Sequence, residues 1–250
     1  MNCHNGEKFL NEAILSVLDQ TYKNFELVFF NNHSSDNSEN IVKSFNDERI
    51  KYYSSKQYLN LYGARNEAIK KAKGEYIAFI DTDDLWVSNK IEKQLEFFEK
   101  NLDTQILYTN YYIFKNSKKD KRLFLKKKKP SGKITQDLLN SNSIGINTIM
   151  IKKKVFENYN FKSNYSIIGD FDFLIKFSFK NNIEYLDLPL AYYRWHGENL
   201  SNRRIDIYLK EFTEWLKLYK QPLSSQGFSL FYLRLFLLKL RVKLFFKNFF

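Results

Sequence analysis

Residues 63–86 read GARNEAIKKAKGEYIAFIDTDDLW. Residues 64–73 are mostly good helix formers, and Gly74 is a natural stop for the helix they predict. Residues 75–81 then form an apolar stretch short enough for a strand, and three carboxylates, Asp81, Asp83 and Asp84, follow within four residues. A helix, a buried strand and an acidic turn in that order make one unit of an alternating α/β chain.

The same alternation extends in both directions. Upstream, Leu10, Ala13, Ile14, Val17 and Leu18 recur at helical spacing and predict an amphipathic helix over 7–20. The apolar run FELVFF at 25–30 predicts a strand covered on both faces, ending in the polar cluster 31–38. A helix over 37–45 and a short strand over 50–54 complete that side. Downstream, Ser88 reads as the N-cap of a helix with Ile91, Leu95 and Phe98 on one face, and residues 105–114 read as a strand. Such a chain folds into an α/β, Rossmann-like, mostly parallel sheet flanked by helices. The rest is less regular: a strand at 148–152, a helix near Asp170, an extended segment at 183–195 and a helix over 205–219. The expected organisation is a single domain over 1–220, with a nucleotide-binding half at 1–115 and an acceptor half at 116–220, followed by an extension at 221–250. The chain opens on NCHNGEKFL, a loop entering a helix, where a doubly wound fold opens on a strand. Met1 to Cys3 are therefore expected to be the end of a first strand otherwise missing, through a late start or a truncated gene product.

Composition narrows the function classes. At 44% hydrophobic and 18% aromatic, with eight Gly and three Pro, the chain can build a core and is neither disordered nor fibrous. The lone Cys3 rules out an internal disulfide and suits a reducing compartment, and the opening residues lack the apolar run of a secretory signal. A net charge of +12 suggests nucleic acid at first sight. Its distribution argues against that partner. Nine Lys/Arg against Asp120 lie in 118–133, KKDKRLFLKKKKPSGK, and five Lys/Arg with no acid lie in 226–250, so these two segments account for the whole excess. No nucleic-acid partner is expected, and no G-x-x-x-x-G-K-[ST] phosphate loop occurs.

Three carboxylates at the carboxyl edge of a sheet repel one another unless a cation neutralises them, and hard oxygen donors suit Mg²⁺ or Mn²⁺. An acidic turn that caps the next helix would read the same way. The surrounding blocks separate the two. NCHNGEKFLNEAILSVLDQTYKNFELVFFNNHSSDNS at the start, together with GARNEAIKKAKGEYIAFIDTDDLW, resembles family 2 glycosyltransferases over residues 2–100, in motif and in spacing.

That resemblance implies the GT-A fold and an inverting transfer from a nucleoside-diphosphate sugar, UDP-sugars being favoured. It implies that Asp81 contacts the donor's ribose or diphosphate, that Asp83 binds Mn²⁺ or Mg²⁺, and that Asp84 is an alternate metal ligand or an orienting carboxylate. Arg65 matches a base-holding position, where a solvated helix Arg would look the same. Asn32 stands where many relatives carry an Asp that bonds uracil. In IGDFDFL at 168–174, Gly169 replaces the family's Glu, and Asp170 is the implied general base, with a helix N-cap as the plainer alternative. In YRWHGENLS at 193–201, Arg194 matches a diphosphate-closing cation and His196 a metal donor, where a surface turn with a packed His would read alike.

The last 25 residues, QGFSLFYLRLFLLKLRVKLFFKNFF, are too interrupted by charge to span a bilayer but suit its anionic surface as a basic amphipathic C-terminal helix; a helix packed on the domain is the alternative. The function expected is a transferase acting on a glycan or lipid-linked acceptor in cell-surface polysaccharide or glycolipid synthesis. It would be cytoplasmic, in peripheral contact with the anionic inner face of the plasma membrane. The competing reading is a catalytically inactive relative.

Overall fold

A computed structural model of the protein describes residues 1–124, 127 and 129–249, apart from the side chains of residues 248 and 249. β1 (Asn2–Cys3) leads into α1 (Glu7–Leu18), whose Leu10, Ala13, Ile14 and Val17 are buried on one face. β2 (Leu27–Asn31) is buried at every position, as a strand covered on both faces must be. α2 (Ser38–Ser44), β3 (Ile50–Ser54) and α3 (Leu61–Lys71) follow. α3 begins three residues before the expected start, because Tyr62 packs into the core at 2% exposure and draws the preceding turn into the helix. It ends at Ala72, whose extended backbone terminates it two residues before Gly74.

β4 (Tyr76–Ala78) and the two-residue β5 (Leu85–Trp86) flank the acidic turn. α4 (Lys90–Lys100) starts after Asn89, one residue beyond the expected Ser88 cap. β6 (Ile106–Phe114) closes the first half, with β7 (Arg122–Leu123) turned back against it. The second half holds α5 (Thr135–Asn140), β8 (Met150–Lys152), α6 (Gly169–Ser178), β9 (Glu184–Arg194), α7 (Leu200–Arg203), α8 (Ile205–Ser225) and α9 (Phe231–Phe249).

The strands form two sheets. In the first, β1, β2 and β3 lie side by side in parallel. In the second the order is β4-β8-β6-β9-β5, with β6 parallel to β9 and β8 inserted antiparallel between β4 and β6. The two sheets meet at one bridge, Asn2 to Asp81, so the acidic turn sits at the seam between them. A cleft of about 810 Å³ opens beside β1, between β2 and β4, lined by Leu27, Val28, Ile77 and Phe79 among others. Alternation along β6 shows that both faces are covered. Ile106 and Tyr108 join the core beneath α6 and α8, whereas Leu107 and Tyr111 join the core beneath α1 and α4.

The two basic segments differ in how they meet this body. Residues 118–123 are exposed, as a solvated excursion should be, and residues 125, 126 and 128 of the Lys-rich run lie outside the described residues. Lys129 does not follow the exposed pattern. It is 3% exposed, its Nζ donates to the Ser143 carbonyl, and it lies over the rings of Tyr108, Tyr111 and Phe124; burial pushes its ammonium down to about 8. α8 continues through Pro222, beyond the expected end at 219, because Leu223 is fully buried. In α9, Leu233, Leu237 and Leu240 are buried, with Leu230 just before it, while Phe231, Leu235, Leu238, Val242, Phe245 and Phe246 face outward. The helix therefore packs on the domain and also presents an apolar row.

Candidate active site

The three carboxylates of the acidic turn part company. Asp81, at the seam, accepts a 2.6 Å bond at Oδ1 from Nη2 of Arg65. Arg65 comes from α3, is 3% exposed and lies 5.2 Å over the Tyr62 ring. Burial alone would lower its pKa, but Asp81, Tyr62 and Asp170 together outweigh it and the guanidinium is held more firmly protonated than usual. Arg65 is thus committed to Asp81 and buried, not solvated.

Asp83 faces the other way. Its Oδ2 lies 2.9 Å from Nε2 of His196 and 3.5 Å from Nδ2 of Asn199. Burial pushes its carboxyl up, the charge of Asp81 adds to that, and His196 opposes it. Asp84 points into the core at 3% exposure, where Oδ1 accepts the backbone N–H of Arg194 at 2.9 Å and Oδ2 accepts Nδ2 of Asn147 at 2.7 Å. Burial, then Asp83 and Asp81, push its carboxyl well above the ordinary range. With both oxygens occupied by amides, Asp84 orients the strand end that carries Arg194.

Arg194 closes this arrangement from β9. Its guanidinium is sandwiched between Phe9 and Phe114, and it donates to the Asp83 carbonyl at 2.9 Å and to Glu12 at 2.8 Å. The segment after β9 is thereby tied to the acidic turn, which is what brings His196 to Asp83. Asn32, at 4% exposure, has its amide engaged on both sides: Nδ2 donates to the Leu59 carbonyl and Oδ1 accepts the Leu59 N–H. It fixes the loop before α3, and His4 packs beside it against Tyr58, with Nδ1 3.0 Å from the Asn32 carbonyl.

Asp170 lies on the opposite flank, in the first turn of α6. Its Oδ1 is 3.1 Å from the Tyr62 hydroxyl and accepts the Phe171 N–H. The N-cap position is Ile168, so Asp170 does not cap the helix. Burial raises its carboxyl, and the charge of Arg65, with bonds from Phe171 and Tyr62, holds that rise back. Asp81, Arg65, Tyr62 and Asp170 therefore form a continuous line from the acidic turn to α6. Asp172 is fully buried and held by Trp215 and Lys176.

Gly169 has a steric reason. A Cβ built there would lie 2.5 Å from atoms of the Tyr62 ring, which is itself buried and cannot withdraw cheaply. Gly169→Ala is expected to lower stability by about 1–3 kcal/mol through overpacking, read as a drop in melting temperature. An unchanged melting temperature would mean that the ring has room to move.

Among the described residues, no three His, Cys, Asp or Glu side chains converge as a complete metal shell. What the site offers is one carboxylate and one imidazole within 2.9 Å of each other, beside a second carboxylate whose charge already strains the first. That set fits Mg²⁺ or Mn²⁺ when a nucleotide diphosphate and water supply the remaining oxygens. Sequence reasoning missed Tyr62, Asn147 and Asn199. Tyr62 fell outside the expected helix, and an isolated Asn carries no periodic or motif signal.

A family model described as Glycosyl transferase family 2 matches residues 1–159. A UDP-Glc:alpha-D-GlcNAc-diphosphoundecaprenol beta-1,3-glucosyltransferase of Escherichia coli is 36% identical over 162 residues, covering 64% of this chain and 62% of the relative. A second Escherichia coli enzyme of the same description is 39% identical over 113 residues, 45% of each chain. The chain thus spans less than two thirds of these relatives. Among solved structures, TarS of Staphylococcus aureus in complex with UDP-GlcNAc superposes with a TM-score of 0.69 at 18% identity, over 86% of this chain and 65% of that one. A mannosyltransferase of Pyrobaculum calidifontis in complex with GDP-Man and Mn²⁺ gives 0.60 at 13% identity, over 86% and 62%. These two likenesses establish a shared fold.

Proposed function

This chain belongs to glycosyl transferase family 2, and from that premise we propose that it is an inverting glycosyltransferase moving a sugar from a UDP-sugar to a hydroxyl of a lipid-linked glycan acceptor in cell-surface polysaccharide or glycolipid synthesis. The observation that carries the reading is the line from Asp81 through Arg65 and Tyr62 to Asp170, which joins a donor-side acid to an acceptor-side base. The UDP preference rests on the names of the Escherichia coli relatives and on the nucleotide in the TarS complex.

In this reading Asp170 takes the proton of the acceptor hydroxyl as its oxygen forms a bond to the anomeric carbon. The bond from that carbon to the diphosphate breaks on the opposite face, its electron pair leaves with the nucleoside diphosphate, and configuration inverts. A carboxylate whose pKa is raised by burial is a better proton acceptor than a free one, while the charge of Arg65 opposes that rise. Asp83 and His196 would hold the Mn²⁺ or Mg²⁺, with Asp84 orienting the turn behind them. The cation supplies positive charge beside the leaving diphosphate. Arg65 braces Asp81 for the ribose or diphosphate, Asn32 shapes the wall of the base pocket, and Arg194 fixes the segment that carries His196.

The test is a thermal-shift titration with UDP and GDP, each with and without Mn²⁺, beside a turnover assay using UDP-glucose and a GlcNAc-diphosphate lipid. A ligand at one hundred times its dissociation constant stabilises the native state by about 2.7 kcal/mol, so binding is readable as a rise in melting temperature. A manganese-dependent rise with UDP is expected. No rise with either nucleotide in any condition would sink the reading and favour an inactive relative.

Peripheral contact with the anionic inner face of the plasma membrane belongs to the same proposal. No helix among the described residues is long and apolar enough to cross a membrane. Support for surface contact comes from α9, whose outward Phe231, Leu235, Leu238, Val242, Phe245 and Phe246 accompany Arg234, Lys239, Arg241, Lys243 and Lys247 with no acid. The protein should cosediment with phosphatidylglycerol vesicles at low salt and not with phosphatidylcholine alone, and Leu238→Glu with Phe245→Glu should release it. Equal recovery with both vesicle types, or none with either, would count against it.

A further inference from the structure

We propose that Glu211 and Trp215, one turn apart on α8, are positioning residues that hold Asp170 in its working orientation; the proposal rests on the reading of Asp170 as the base. Glu211 is 6% exposed, and among the described residues no Lys, Arg or His lies within ion-pair distance of it. A buried carboxylate persists only if its charge is met by donors. Here three backbone N–H groups meet it: Ser166 at 2.6 Å on Oε1, and Ile167 and Ile168 at 2.9 and 3.1 Å on Oε2.

Those three peptides form the turn that enters α6, two to four residues before Asp170. The Tyr62 hydroxyl lies 2.8 Å from the Ile167 carbonyl and 3.1 Å from Asp170 Oδ1, so its one proton is shared between the two acceptors and its oxygen is held between them. Glu211 fixes the peptide, the peptide fixes the hydroxyl, and the hydroxyl fixes the carboxylate. Trp215 holds the other side. Its indole N–H donates to Oδ1 of Asp172 at 3.0 Å, and its ring lies edge-on to Phe171 at 4.9 Å. Asp170 is therefore bracketed, with residues 166–168 gripped by Glu211 and residues 171–172 gripped by Trp215. Neither side chain bonds to Asp170 itself.

The carboxylate is required because of its symmetry. Two acceptor oxygens can serve three donors, whereas Gln offers one oxygen and turns an NH₂ toward an N–H. Glu211→Gln preserves volume and helix propensity while freeing at least one of the three peptides. Displacement of a reacting group by up to about 1 Å costs roughly 10- to 100-fold in rate. Glu211→Gln is accordingly expected to lower kcat by about that factor while the donor KM and the manganese-dependent UDP shift stay unchanged. Trp215→Phe, which removes the indole N–H together with part of the buried ring, is expected to lower kcat in the same direction, and it covers the case in which Glu211→Gln fails to fold.

The deciding measurement is a double-mutant cycle with Asp170→Asn in the turnover assay above. If Glu211 acts through Asp170, the double variant is no slower than Asp170→Asn alone. A normal kcat in Glu211→Gln, or losses that multiply in the double variant, overturns the proposal while leaving the base reading intact. Full activity in Asp170→Asn would remove the base reading and this inference with it.

Discussion

Asp170→Asn is expected to reduce turnover by about 10²- to 10⁴-fold, the usual contribution of a positioned general base, and to leave donor binding intact. The substitution keeps size and still allows the bond from the Phe171 N–H and a bond to the Tyr62 hydroxyl. What it removes is the capacity to take a proton. The donor-side groups Asp81, Asp83 and His196 are not in contact with it, so a manganese-dependent UDP shift should persist. Stability should change with a definite sign. Because burial raises the Asp170 carboxyl above its ordinary value, the folded state holds a proton that the unfolded state has already released, and stability falls as pH rises through that window. Removing the charge relieves this cost at neutral pH and does nothing below pH ~3, where Asp is protonated in either state. Melting curves of both proteins at pH 3 and pH 7 check the sign; turnover close to that of the parent would exclude Asp170 as the base.

Asp83→Asn is expected to abolish the manganese-dependent nucleotide shift and to lower turnover by about 10²-fold or more, the scale of losing one preorganised electrostatic contact to the leaving group. The argument is chemical. Asp83 is the motif carboxylate that meets an imidazole, and its raised pKa reflects burial first and then the charge of nearby Asp81. An amide removes the anionic ligand without disturbing the Asp84 anchor, which is held by Arg194 and Asn147. Folding should therefore survive. A manganese-dependent UDP shift of parental size in Asp83→Asn would show that the cation, if bound, is held elsewhere. His196→Gln should fall between the two, since it leaves the carboxylate in place.

Several parts of this molecule were legible before any tertiary contact was known. The apolar stripe of α1 follows from periodicity, and β2 and the strand into the acidic turn from short apolar runs, although β4 covers only Tyr76–Ala78 of the expected 75–81; β3 has the expected bounds. The resemblance of residues 2–100 to family 2 is matched by the family model over 1–159. Element ends were less legible. α3 starts early because Tyr62 is buried, and α8 runs past Pro222 because Leu223 is; both are packing effects that no local propensity encodes.

The site divides along the same line. Sequence alone determined that three carboxylates follow an apolar strand, that an Asp lies in the first turn of α6, and that a His follows two residues after the Arg that ends β9, because each is a local arrangement set by chain spacing. Only the tertiary structure decided which carboxylate does what. Asp81 meets Arg65, Asp83 meets His196 and Asp84 turns inward to amides, although the three occupy four consecutive positions. It also decided that Asn32 is engaged with Leu59, that Tyr62 joins Arg65 to Asp170, and that Glu211 grips the turn before α6. The physical reason is that a side chain's role depends on the donors, charges and burial around it. Those are supplied by residues from 16 to 113 positions away, which spacing along the chain cannot reveal.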